Sequence, residues 1–255
     1  MAQLTTNAGQ FFYTEQGHGP LTVVALHGAG GNHLHWGYQC QALRQVARFI
    51  LLDLPGHGRS PGTGCTSIAS YSAVLLTFLD ALGCDRVVLA GHSMGGALAL
   101  WTALTAPKRV QALMLVATGS RLPVLPLLFT HLEQGQADLA VQLIVERAYS
   151  AHSPPQLREQ GRKAFLQTDP AVFAADLRAC NAYDARDQLA NIHCPTLIIG
   201  GDDDGITPPK FSRTLYQGIA GASIRMIPQA GHMLMLEQPV QVNETMSAWL
   251  KQLSI

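Results

Sequence analysis

A short apolar run, Val87-Val88-Leu89-Ala90, leads straight into Gly91-His92-Ser93-Met94-Gly95-Gly96, and a helical run to Ala106 follows without a break. Few folds admit that order. A serine placed between a buried strand and a helix that starts at once must sit on a sharp, strained turn. Side chains at positions 91 and 95 would run into neighbouring backbone there. The turn lifts the Ser93 hydroxyl above the end of a sheet, at the N-terminus of a helix whose dipole favours developing negative charge. A bare Gly-x-Ser-x-Gly match says little, but in its strand–turn–helix setting it reads as a nucleophile elbow.

The remaining chain supplies the sheet. Apolar runs at 21–26, 49–54, 86–90, 110–116 and 196–199, and a weaker one at 223–227, are punctuated by glycine or proline. They read as strands buried on both faces. Helical stretches fall between them at about 34–46, 67–82, 94–106, 208–219 and 238–253. Strands alternating with helices predict an α/β fold with a mostly parallel sheet covered on both sides. A short strand at 11–16 is expected at one edge. The segment 121–186 breaks the rhythm: it has no strand-like run and is interrupted by Pro123, Pro126, Pro154, Pro155 and Pro170. It is too long for a plain connection and predicts a helical insertion within a single domain spanning 1–255.

A serine alone is a poor nucleophile; it needs a base, and the base needs an orienting acid. On strand–elbow–helix folds the chain order is Ser, then Asp or Glu, then His. Four histidines follow Ser93, and of these His131, His152 and His193 precede the next acid-bearing strand end. That leaves His232, in a loop between the last strand and the last helix. The acid is expected after the strand at 196–199, where Asp202, Asp203 and Asp204 compete. Asp204, four residues before the helix-opening Pro208, fits best; Asp202 and Asp203 read as solvent-facing or turn-capping. The end of the preceding strand, Ala117 to Ser120, has no carboxylate to offer.

The third motif, His27-Gly28-Ala29-Gly30-Gly31, directly follows the strand at 21–26. Acyl transfer builds negative charge on the former carbonyl oxygen, which two preorganised backbone N–H groups stabilise. We assign these donors to Ala29 and to Met94, with His27 holding the loop in shape. A dinucleotide loop would need glycine at position 33, where His33 stands, and no Gly-Lys-Ser/Thr phosphate loop occurs. His33 and His35 have no further ligand cluster nearby, so they read as a helix-entry face, with Trp36 and His92 assigned to a substrate pocket. His57 precedes the nucleophile and falls outside the order. The apolar stretch 122–129 reads as a lid over that pocket.

The 255 residues carry 17 basic and 17 acidic side chains, so no global field draws in nucleic acid or an anionic membrane. With 47% hydrophobic and 13% charged residues, the chain is suited to extensive apolar burial, including a pocket or a subunit contact such as a homodimer. Residues 1–12 do not form a secretory signal, and no run reaches the ~20 apolar residues of a membrane span. The five cysteines are scattered without a CxxC pair and read as reduced thiols of a cytoplasmic protein.

Together, HGAGG at 27–31, DLPGHGRS at 53–60, GHSMGG at 91–96, GGDDDGITPP at 200–209 and AGHMLMLEQP at 230–239 resemble the α/β-hydrolase superfamily in order and rough spacing. The resemblance implies a central sheet of about eight strands and a helical cap between strands six and seven, here 121–186. Within the superfamily the chain is similar to small cap-bearing esterases, enol-lactonases, cofactor-free perhydrolases and carbon–carbon bond hydrolases. Haloalkane dehalogenases and epoxide hydrolases place an aspartate where Ser93 stands. Carbon–carbon hydrolases usually have an aromatic residue after the base histidine and a cap arginine; here Met233 follows His232, and Arg162 matches only loosely. The reading is a serine hydrolase with Ser93, His232 and Asp204 as its triad, no cofactor or metal, and a small, largely apolar ester or lactone as substrate. Carbon–carbon hydrolysis, perhydrolysis and a non-catalytic ligand receptor are the alternatives.

Overall fold

Side chains along the central strands alternate between two separate cores, one on each face of the sheet. In β3 (Thr22–Leu26), Val24 and Leu26 pack on one side, and Val23 and Ala25 on the other. The same split sends Leu113 and Leu115 of β6 (Val110–Val116) to the first core, and Ala112, Met114 and Val116 to the second. A strand buried on both faces can be apolar throughout, which is why these runs show no polar alternation.

The computed structural model describes residues 2–253. Its eight-stranded sheet has the order β1-β2-β4-β3-β5-β6-β7-β8 among the described residues. The remaining strands are β1 (Ala2–Thr6), β2 (Gly9–Gln16), β4 (Arg48–Leu52), β5 (Val87–His92), β7 (Thr196–Gly201) and β8 (Ser223–Ile227). Pairing is parallel from β4 through β8, and antiparallel where β1 meets β2 and β2 meets β4. The first core is closed by α2 (Ile68–Ala81), α3 (Met94–Thr105) and α8 (Pro209–Gly218); the second by α1 (Gly37–Leu43), α9 (Leu234–Glu237) and α10 (Pro239–Leu253). Ser67 caps α2 by accepting the Ser70 N–H at 3.1 Å.

Two local expectations change. The edge is a hairpin rather than a single strand: β1 is half-exposed with little apolar content, so it leaves only a weak periodic signal. The helix expected at 34–46 is split into a 3-10 turn, His33–Trp36, whose start Asn32 caps by accepting the Leu34 N–H at 3.0 Å, and α1.

Between β6 and β7 lie α4 (Pro126–Glu133), α5 (Ala137–Ala148), α6 (Pro155–Phe165) and α7 (Pro170–Ala182). Each proline at a helix start supplies a fixed φ where its missing N–H costs nothing. The two ends of this insertion are tied together: Ala185 N–H donates to Ser120 O at 2.7 Å beside an Arg121–Asp184 bridge. The inserted helices form a third apolar cluster that includes Ile144, Phe165, Phe173, Leu177 and Met233. They cover the carboxyl ends of the parallel strands, where ligand crevices of open α/β sheets form.

Candidate active site

Ser93 stands between β5 and α3 with φ 53° and ψ −116°, a left-handed conformation that costs a serine about 1–3 kcal/mol. The surroundings hold it there. Its N–H donates to Val116 O at 2.9 Å, and its carbonyl accepts the Thr118 hydroxyl at 2.7 Å. Side chains are excluded on either side: a Cβ at Gly91 would overlap the Gly95 carbonyl, and one at Gly95 would overlap the Leu26 carbonyl. Met94 opens α3, so its N–H has no carbonyl within the helix to receive it.

The loop after β3 closes on the same point. A Cβ at Gly28 would lie 2.9 Å from His92 Nδ1 and 3.1 Å from Ser93 Cβ, so this backbone passes directly beside the serine. Gly28 O accepts from His27 Nδ1 at 2.8 Å and from the Gly31 N–H at 3.1 Å. In a trans peptide the N–H points opposite the carbonyl, so these bonds also fix the direction of the Ala29 N–H. His27 Nε2 accepts the Leu54 N–H at 3.1 Å, which leaves the proton on Nδ1. Burial, helped by the charge on His57, holds His27 well below its ordinary pKa.

Of the three aspartates after β7, Asp204 is the one that meets the imidazole. Its Oδ2 lies 2.9 Å from His232 Nδ1 and accepts the Thr207 hydroxyl at 2.7 Å. Its Oδ1 accepts the Ile206 and Thr207 N–H groups, each at 2.8 Å. Asp204 and His232 are both buried, whereas Asp202 and Asp203 are exposed. Asp203 instead accepts the Ser150 hydroxyl. In a neutral imidazole whose Nδ1 donates to Asp204, Nε2 carries the lone pair that a proton acceptor needs. The His232 loop is held by Ala148 O, which accepts its N–H at 2.6 Å, and by Glu237, which accepts the Gly231 N–H at 3.0 Å.

Ser93, His92, Ala29, Thr207 and His232 border one cavity of about 280 Å³. Its other walls are mainly apolar, with Leu122, Leu128, Ile144, Phe165, Phe173 and Leu177 prominent. Residues 122–125 and Leu128, from the stretch expected to be a lid, contribute directly. The pocket assignment of Trp36 is corrected. Its ring is fully buried in the second core, and its neighbour His35 borders the cavity instead. Burial, against the pull of Asp53, brings His35 down to about 4, and burial with neighbouring His232 and His35 holds His92 well below its usual value. Both rings therefore face the cavity uncharged at neutral pH.

Other residues singled out in the sequence have structural partners. His33 donates from its main-chain N–H and from Nδ1 to Asp53 Oδ1, at 2.7 and 2.9 Å. Among the described residues no group of three His, Cys, Asp or Glu side chains could hold a metal ion. Arg162 lies on the surface, paired with Glu159 and Asp138, away from the cavity. Cys180 borders the cavity, where burial raises its thiol and keeps it protonated. Sequence reasoning missed Thr207, Arg147 and Asp176. Arg147 borders the cavity and is bonded to Gly205 O. Asp176 carried a readable signal: it is the lone acid on the apolar stripe Val172, Phe173, Leu177, Cys180 of α7.

Residues 23–245 match the family model described as the alpha/beta hydrolase family. The chain belongs to the α/β-hydrolase family. Among similar proteins is the dihydrolipoyllysine-residue acetyltransferase component of the acetoin cleaving system of Pseudomonas putida, 32% identical over 92% of this hydrolase. The chain spans only 65% of that protein's length. The pimeloyl-[acyl-carrier protein] methyl ester esterase of Nitrosomonas europaea is 28% identical over 88% of this chain and 93% of its own. A thermophilic esterase from Thermogutta terrifontis superimposes with a TM-score of 0.89 at 26% identity, covering 100% of this chain and 99% of that one. Among the described residues of this hydrolase no helix is long and apolar enough to cross a membrane.

Proposed function

We propose that this α/β-hydrolase cleaves small, largely apolar carboxylic esters or lactones through an acyl-enzyme. The observation that carries the reading is the Asp204 Oδ2–His232 Nδ1 bond of 2.9 Å, with His232 and Ser93 on its strained elbow bordering the same largely apolar cavity. Its relatives named as esterases support the same class.

Ser93 Oγ attacks the carbonyl carbon while His232 Nε2 takes its proton. Asp204 keeps the imidazole in the required tautomer and stabilises the imidazolium. The Ala29 and Met94 N–H groups receive the oxyanion. Collapse expels the alcohol, which takes the proton from His232. Water then attacks the acyl-enzyme with His232 again as base, releasing the acid and restoring Ser93. The inserted helices act as a cap that excludes bulk water and selects apolar acyl groups. Five free cysteines fit a reducing compartment, and the cytoplasm is the proposed location.

The test is p-nitrophenyl ester turnover together with fluorophosphonate labelling, in wild type and Ser93→Ala. Wild type should turn over acetate and butyrate esters and label at Ser93; the variant should lose both. A Ser93→Ala protein with full esterase activity would overturn the assignment.

A further inference from the structure

Asp176 is a fully buried carboxylate on α7 that receives donors from three separate parts of the body of the protein. Its Oδ2 accepts the Gly30 N–H at 2.9 Å and lies 2.7 Å from His57 Nε2. Its Oδ1 accepts the Tyr71 hydroxyl at 2.5 Å. The His57 ring is also fully buried, and its other nitrogen, Nδ1, lies 3.0 Å from Pro55 O. Both ring nitrogens thus face acceptors, and only the imidazolium has a proton for each. Burial opposes that charge, but Asp176, the Pro55 carbonyl and Asp53 outweigh it and hold His57 above its ordinary value. The result is a buried ion pair whose carboxylate also holds a main-chain amide of the glycine loop.

That amide is next to Ala29. Gly30 adopts φ +63°, and a Cβ there would lie 3.0 Å from Phe173 and 3.1 Å from Phe165, so α6 and α7 press directly on this turn. The Gly30 carbonyl accepts the Thr168 hydroxyl at 2.9 Å, from the connection between α6 and α7. Both polar groups of Gly30 are therefore held by the inserted segment. The peptide on the other side of Ala29 is held from within the body, by His27 and Gly31.

We infer that Asp176 is a positioning residue for the oxyanion site: fixed by His57 and Tyr71, it clamps the Ala29–Gly30 peptide, while His27 and Gly31 hold the Gly28–Ala29 peptide, and the two holds together keep the Ala29 N–H aimed at the developing charge. The cap then completes the stabilising donor set as well as covering the pocket. A donor aimed in advance needs no reorganisation when charge appears, which is the source of its effect. The inference rests on the acyl-enzyme reading above.

The experiment compares wild type, Asp176→Ala and Asp176→Asn with p-nitrophenyl acetate as substrate and an aryl trifluoromethyl ketone as inhibitor. The ketone accepts Ser93 Oγ at its carbonyl carbon, its oxygen becomes the oxyanion, and the serine proton passes to His232. Asp176→Ala should lower kcat by about 10- to 100-fold, less than or equal to the loss of a donor outright, with KM within about twofold. The ketone's Ki should rise by the same factor as kcat falls. Asp176→Asn keeps an oxygen for the Gly30 amide and should restore most of both. A packing role alone would lower the melting temperature and leave kcat and Ki in place; that result in a folded Asp176→Ala protein overturns the inference. Should Asp176→Ala not fold, Thr168→Val replaces it: a loss in kcat at constant KM supports the clamp, and unchanged kcat overturns it. Absent turnover and labelling in wild type would instead bring down the acyl-enzyme reading, and the clamp with it.

Discussion

His92 donates from Nε2 to the main-chain oxygen of His232 at 3.0 Å, so the residue before the serine holds the loop that carries the imidazole. The two residues lie 140 positions apart in the chain, and this hydrogen bond joins them directly. His92→Phe should keep the fold and lose about 1 kcal/mol of positioning, several-fold in kcat. His92→Gln, which retains a donor, should recover part of the loss. Ester hydrolysis rates and melting curves measured side by side decide it.

Asp204→Asn should lower kcat by about 10⁴-fold, because the amide turns the imidazole to the wrong tautomer. Asp202→Asn should stay near wild type, since that side chain is exposed and does not meet His232. Equal losses in the two variants would move the acid role away from Asp204.

Acid should unfold the protein through its buried neutral histidines. His35 is lowered to about 4, and His27 and His92 are also depressed, chiefly by burial. The unfolded chain binds these protons near pH 6.5 and the native state does not, so stability is full above 6.5 and is lost as pH falls. For His35 alone the loss down to pH 4 is about 3 kcal/mol. His57 has the opposite sign: raised by Asp176, the Pro55 carbonyl and Asp53 against burial, it stabilises fully below 6.5 and loses that contribution as pH climbs through its native value. Urea midpoints from pH 4 to 9 should trace both limbs, and His35→Leu should flatten the acid one.

Gly95→Ala should cost more than about 3 kcal/mol, because the new Cβ meets the rigid Leu26 main chain rather than a side chain that can turn away. Gly37→Ala is the control. Gly37 opens α1 with helical angles, and a Cβ there meets nothing within 4 Å, so the substitution should gain about 0.5 kcal/mol. Chemical denaturation of both variants measures the contrast.

Much of this architecture was legible without coordinates. Apolar runs closed by glycine marked the strands of the parallel sheet, since a strand buried on both faces leaves no polar alternation to misread. The turn at Ser93 was legible because its sterics are local: Gly91 and Gly95 lie within a few residues of it, and the packed backbone they make room for belongs to the same strand–turn–helix unit and its neighbour strand. Asp204 was singled out by its spacing before Pro208 alone; the bonds by which its carboxylate accepts the Ile206 and Thr207 amides are seen only in the structure.

What the tertiary structure alone decided lies in contacts that no local pattern encodes. Asp176 meets Gly30 across 146 residues and His57 across 119. A polar residue on an apolar stripe says that a buried partner exists, but not which one. Trp36 and His35 differ for a related reason: both fit a pocket wall chemically, and only the packed structure shows that Trp36 enters the second core while His35 borders the cavity. Sequence periodicity reports which face of an element is buried, because burial repeats along it. Which distant element does the burying depends on how the layers close around the sheet, and that is where the hold of the inserted helices on the glycine loop was determined.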